Sequence, residues 1–144
     1  MRLAAHDFMD FDQSNSVTGG ADGCIDFSAG INNGLGDVWC DGCPLKELYD
    51  RKYSFMSRSD FWVAAANGSI KATAISDYVP PFRWGRTDVN FCPESAARLP
   101  LDTGCDQVEG VFLTRMGLSW VDATALLGAH TLGLATEANS AHGT

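Results

Sequence analysis

The chain has 144 residues and a hydrophobic content of 45%, which is enough for one domain with a packed core rather than a disordered chain. Its 18 acidic residues outnumber its 10 basic ones, so the net charge of −8 argues against a nucleic acid partner. No basic cluster indicates a membrane surface, and no apolar run approaches the roughly 20 residues that span a bilayer, so we expect no membrane partner.

The first third of the chain combines one short helix with long loops. Residues 1–9 are predicted to be the end of a helix, in which Arg2 and His6 share a face because they are four residues apart. Residues 10–24 are predicted to be loop, since polar residues and a glycine-rich run break any periodicity. Residues 30–36 form a second Gly/Asn turn region.

Two helices are predicted in the middle of the chain. Pro44 is suited to the first position of a helix, and apolar residues follow it at helical spacing. Ser57 and Asp60 fit a capping box before a helix that extends to about Ala74. Two prolines, at 80 and 81, then open an irregular stretch that continues to about residue 102.

The last third is again helical. One helix is predicted from about residue 106 to 116, and Ser119 with Asp122 forms a capping box for another over about 120–132. This last helix is apolar almost throughout and carries His130 near its end. No segment alternates convincingly as a strand, so the pattern predicts a mainly α fold.

The five cysteines leave at least one thiol unpaired if the others form disulfides. Cys92 and Cys105 flank a loop that a disulfide between them would close. Cys40 and Cys43 are either a redox pair or half of a zinc site, but the remaining ligands of a structural zinc site are missing. Cysteine usage leaves the cellular compartment open.

His130 has two interpretations. It is either a core histidine whose ring nitrogens are satisfied by neighbours, or a ligand of a metal or haem. Leu126 and Leu127 precede it by one turn, and an imidazole in a dry apolar pocket suits haem iron. Gly128 and Gly133 would let the backbone approach a large planar group closely.

Arg2 and His6 are either a solvated helix face or an acid–base pair. A cation beside His6 disfavours a metal and suits a site where negative charge develops, as in heterolysis of a peroxide. There a base moves a proton between the two oxygens, and a nearby Arg keeps that base neutral at rest. Asn32 lies in a turn and would accept a hydrogen bond that fixes the tautomer of His6.

Oxygen donors follow His6 along the chain. The Asp7 and Asp22 carboxylates and the Gly20 carbonyl are either calcium ligands or parts of a polar turn. The segment is not an EF-hand, because Ala21 stands where the twelfth position of a loop starting at Asp10 would require Glu.

Five segments resemble, in order, the plant-type haem peroxidase superfamily of plants, fungi and bacteria. Residues 2–7 (RLAAHD) resemble its distal-histidine motif, residues 19–23 its glycine-rich calcium loop, and residues 32–35 the turn that carries its distal asparagine. Residues 81–88 (PFRWGRTD) are similar to its P-x-R-x-G-R-x-D segment, and residues 122–133 (DATALLGAHTLG) to its proximal-histidine signature. Their order across nearly the whole chain argues against coincidence.

The resemblance implies an all-α fold and a function. A haem peroxidase reduces hydrogen peroxide and oxidises a small-molecule or protein donor in one-electron steps, here in response to oxidative stress. His130 would bind the iron of haem b, His6 would be the distal acid and base, Arg2 would stabilise charge and Asn32 would orient His6. Calcium, if bound, would use Asp7, Gly20 and Asp22 at a distal site and Thr131 at a proximal one.

The chain departs from the family pattern in three ways that bear on how complete a peroxidase domain we expect it to be. Ala5 replaces an aromatic residue, Cys24 replaces a calcium-ligating Ser or Thr, and the partner carboxylate of the proximal histidine would lie beyond the chain's end. We therefore expect residues 1–144 to be a partial peroxidase domain, truncated at both ends. The alternatives are a catalytically incomplete haem-binding fragment and a calcium-stabilised interaction module.

Overall fold

The computed structural model describes residues 1–15, 19–101 and 104–131. Within these ranges the chain is helical and has no β-strand, which confirms the all-α prediction. The helices are α1 (Arg2–Phe8), α2 (Pro44–Leu48, continuing as a π-helix over Tyr49–Tyr53), α3 (Arg58–Thr73), α4 (Cys105–Val108, continuing as a π-helix over Glu109–Arg115) and α5 (Trp120–Leu127). Short 3-10 segments cover Gly30–Asn32, Ala96–Arg98 and Gly128–Thr131. None of the helices in these ranges is long and apolar enough to cross a membrane.

The first core joins α1 to α3. Its buried members are Leu3 and Ala4 of α1, Leu35 of the following loop, and Phe61 and Trp62 of α3. These apolar side chains lie on the inner faces of α1 and α3 and in the loop between them, and their burial supplies most of the attraction that holds the two helices together. The core therefore fixes the helix that carries Arg2 and His6 against the 16-residue α3.

The predicted caps form, with one difference. Ser119 and Asp122 make the full capping box of α5, whereas Ser57 Oγ accepts from the Asp60 amide at 3.1 Å without the reciprocal bond. The Asp60 carboxylate instead pairs with Arg86 Nη1 at 2.7 Å and accepts from the Gly85 amide at 2.8 Å. The start of α3 is thus tied to the irregular stretch after the two prolines.

A second, smaller core lies beneath α5. Val111 and Phe112 of the π-helix pack on Ala123, which is the buried residue of α5. The predicted apolar helix is present, but most of its surface is exposed, including Val121 with 78% of its surface accessible. Its last predicted residue, 132, lies outside the described ranges.

The disulfides differ from the expected pairing. Cys92 bonds to Cys24, and Cys105 is free and exposed, so the predicted Cys92–Cys105 loop closure is wrong. Cys24–Cys92 closes a sequence separation of 68 residues, which stabilises the fold by about 4 kcal/mol in the chain-entropy model. Cys40–Cys43 spans only three residues and contributes about half of that. The spacing of cysteines along the sequence does not indicate the Cys24–Cys92 disulfide, because its two partners meet only in the folded chain.

Candidate active site

His6 is held by a buried asparagine. Its Nδ1 lies 2.8 Å from Asn32 Oδ1, and an amide oxygen only accepts, so Nδ1 carries the proton and donates it. Asn32 is 1% exposed, and its Nδ2 donates to the Asp26 carbonyl at 2.8 Å, which fixes the orientation of the amide. In this tautomer the lone pair is on His6 Nε2, which is therefore the ring nitrogen that can take up a proton.

Arg2 lies beside that lone pair. Its Nε donates to His6 Nε2 at 3.3 Å, and its two terminal nitrogens donate to the carbonyls of Asn33 at 2.7 Å and Ile31 at 3.0 Å. The turn at residues 31–33 therefore holds both members of the pair, His6 through a side chain and Arg2 through backbone carbonyls. Sequence inspection pointed to Asn32 but not to these two carbonyls, because backbone acceptors leave no signature in residue type.

The surroundings of His6 favour its neutral form. Burial lowers the pKa of His6 from 6.5, and the charges of Arg2 and His130 lower it further against the opposing effect of the Asn32 hydrogen bond. The contribution of His130, 124 positions further along the chain (130 − 6), is the smallest of these effects.

His130 has the donor chemistry that a haem iron requires. Its Nδ1 lies 3.1 Å from the Leu127 carbonyl, which only accepts, so the proton is on Nδ1 and Nε2 is available as a ligand. His130 is exposed, as are the apolar side chains of Leu126 and Leu127 one turn before it. An accessible imidazole beside apolar surface fits haem, and His130 is the residue that would hold the iron.

Two of the predicted calcium ligands, the buried Asp7 and the half-buried Asp22, belong to one acidic cluster. Asp7 is fully buried, and its carboxylate accepts from the Gly23 and Cys24 amides at 3.1 and 3.0 Å. Burial raises the pKa of Asp7 to about 8, and the charges of Asp22 and Asp10 act in the same direction. With a pKa of about 8, Asp7 is mostly protonated at neutral pH, which avoids the cost of burying its charged form.

This cluster does not form a metal site as it stands. Within the described ranges no three His, Cys, Asp or Glu side chains converge as ligands would, and the Gly20 carbonyl accepts from the Asp22 amide at 2.7 Å. Thr131 Oγ1 donates to the Gly128 carbonyl at 2.7 Å, so this predicted proximal ligand is used within its own helical turn. We derive no step through calcium.

Asp10 belongs to the cluster and was missed as a site residue. It is 1% exposed, accepts from the Gly20 amide at 2.6 Å, and burial raises its pKa to about 6. The signal was its spacing from Asp7, since residues three apart at the end of a helix share a face.

Comparison with known proteins places the chain in a family. A family model described as peroxidase matches residues 1–143. L-ascorbate peroxidase 3 of Arabidopsis thaliana is 35% identical over 139 residues, covering 94% of this chain and 46% of that protein. The cytosolic L-ascorbate peroxidase 2 of the same plant is 36% identical over 138 residues, covering 92% of this chain and 51% of that protein.

The chain spans about half the length of these curated relatives. The match nevertheless includes the segments that carry Arg2, His6, Asn32 and His130, because it extends over nearly all residues. Together with the all-α fold, it shows that the chain belongs to the peroxidase family.

Proposed function

We propose that residues 1–144 form part of a haem peroxidase domain that reduces hydrogen peroxide to water at the expense of an electron donor. The observation that supports this most is the arrangement around His6. Its Nδ1–H donates to Asn32 Oδ1 at 2.8 Å, and its Nε2 accepts from the Arg2 guanidinium at 3.3 Å. A base with a defined tautomer beside a fixed positive charge is what cleavage of an O–O bond requires.

The roles of the residues follow from these contacts. His6 Nε2 takes a proton from the first oxygen of the peroxide and returns it to the second, which leaves as water. Arg2, held by two backbone carbonyls, stabilises the negative charge on the departing oxygen. Haem b, when bound through His130, supplies the iron that exchanges electrons with the peroxide.

The donor and the biological setting are finer proposals. We propose that the donor is oxidised in one-electron steps and that the activity serves the response to oxidative stress. L-ascorbate, after which both relatives are named, is the first donor to test. Calcium at Asp7, Gly20, Asp22 or Thr131 stays a prediction, which a calcium-dependent rise in melting temperature would support.

The experiment is a haem titration followed by peroxide addition. Function as a peroxidase predicts a Soret band on haem addition, a shift of that band with hydrogen peroxide, and its reversal by ascorbate. A Soret band that does not shift on addition of peroxide would instead indicate a chain that binds haem without turnover. The exposed His130 is accessible for such binding. A chain that binds no haem but melts at higher temperature with calcium would indicate an interaction module.

A further inference from the structure

The two disulfides lie in different surroundings. Cys24 is 7% exposed and Cys92 is half-buried, and the bond between them joins distant parts of the chain. Cys40–Cys43 closes a loop at the surface, in which Cys40 is exposed whereas Cys43 is 8% exposed. A thiolate must reach a sulfur along the S–S axis to cleave the bond, so the exposed Cys40 makes its disulfide the more accessible of the two.

The buried sulfur already has a partner for its reduced form. Cys43 Sγ lies 3.1 Å from the Asp37 carbonyl oxygen. A disulfide sulfur has no proton to donate, but the thiol formed on reduction would donate to this carbonyl. The contact therefore favours the reduced pair relative to the disulfide and makes the bond easier to reduce.

Aromatic packing keeps the two sulfurs close after reduction. Trp39, which precedes Cys40, lies 5.1 Å from Trp62 and 5.6 Å from Tyr49 between ring centroids. Cys43 is the residue before α2, which leads into the helical segment that carries Tyr49. Because both flanks are fixed to the core, reduction opens the S–S bond without releasing the loop, and the bond can form again.

We propose that Cys40–Cys43 is a redox-active site that exchanges with dithiol reductants, independently of the peroxidase function. One thiolate of the dithiol attacks Cys40 Sγ, forming a mixed disulfide and releasing the Cys43 thiolate, which takes up a proton. The second thiol of the dithiol then reacts as its thiolate. It attacks the reductant's first sulfur, which is bonded to Cys40 in the mixed disulfide, and so closes an intramolecular disulfide within the reductant. Cys40 leaves as a thiolate and is protonated. The dithiol loses two electrons and two protons, and the cysteine pair gains them.

The test uses Cys24–Cys92 as an internal control. The full chain carrying Cys105→Ser, which removes the free exposed thiol, is equilibrated in buffers of reduced and oxidised dithiothreitol, quenched, alkylated and mapped by mass spectrometry. The proposal predicts that half of Cys40–Cys43 is reduced at a ratio of reduced to oxidised dithiothreitol at least about tenfold lower than the ratio that reduces half of Cys24–Cys92. Circular dichroism at that ratio should match the oxidised chain.

A second measurement tests which sulfur is attacked. Brief treatment with glutathione and acid quenching should place the mixed disulfide on Cys40 and not on Cys43, because Cys40 is the exposed one. Equal reduction of both disulfides, earlier reduction of Cys24–Cys92, or an adduct mainly on Cys43 would each overturn the proposal. Unfolding before Cys40–Cys43 is reduced would overturn it as well.

Discussion

The helix that carries His6 and the helix before His130 are held very differently by the rest of the chain. In α1, Leu3, Ala4 and Asp7 are buried, and the turn at residues 31–33 holds the proposed catalytic pair of Arg2 and His6. In α5, Ala123 is the buried residue, and the Nδ1 of His130 bonds to a carbonyl of its own helix. The comparison teaches that this chain positions the proposed acid–base machinery itself, whereas the proposed iron ligand lies on a sparsely covered apolar helix.

The largest expected effect comes from removing the base. Substitution His6→Leu should slow the reaction of the haem-loaded chain with hydrogen peroxide by about 10²- to 10⁴-fold, since proton transfer is lost. Stopped-flow measurement of the Soret shift gives the rate, and the resting spectrum should stay that of the wild type. A wild-type rate in the variant would show that another group moves the proton.

The asparagine that orients the base offers a matched pair of variants. Asn32→Ala removes the acceptor of the His6 Nδ1 proton and should slow the same reaction by about 10- to 100-fold. Asn33→Ala is the control, because this exposed neighbour contributes its backbone carbonyl to Arg2. Similar rates for the two variants would contradict the orienting role of Asn32.

Stability should report the same contrast between the two regions. Phe61→Ala removes a buried ring from the core beneath α1 and should lower the free energy of unfolding by about 3–5 kcal/mol. Val121→Ala, on the exposed surface of α5, should change it by less than about 0.5 kcal/mol. Urea titrations of both variants check this, and a large effect at Val121 would mean that α5 is covered in solution.

The smallest effect is a shift of a pH profile. Because burial, Arg2 and His130 lower the pKa of His6 below 6.5, the rate of peroxide reaction should fall only at pH values below 6.5. Because the pKa of His6 is lower in the folded chain, the unfolded chain takes up a proton at this residue at a higher pH than the folded chain does. The free energy of unfolding should therefore decrease as pH falls below 6.5. A kinetic midpoint above 6.5 would contradict the arrangement around His6.

Local features of the fold and of the site could be predicted from the sequence more fully than contacts between segments that are distant along the chain. Ser57 and Ser119 predicted the starts of α3 and α5, because a cap depends on residues within one turn. The π-helical segments after α2 and α4 were not predicted, since periodicity alone does not distinguish them from α-helix.

Several contacts between segments that are distant along the chain could not be predicted from the sequence. The pairing of Cys24 with Cys92 and the exposure of α5 depend on which surfaces meet in three dimensions. The assignment of His6 and His130 to one haem site comes from the family resemblance, since no residue pattern in this chain relates the two. The turn carbonyls that hold Arg2 follow from backbone conformation, which residue type does not encode.

The assignment of one imidazole to the iron and the other to the proton is tested most directly by the haem spectrum. The account predicts that His130→Ala loses the wild-type Soret spectrum and that added imidazole restores it, whereas His6→Leu keeps it. A wild-type spectrum in His130→Ala, or its loss in His6→Leu with imidazole rescue there, would contradict the account.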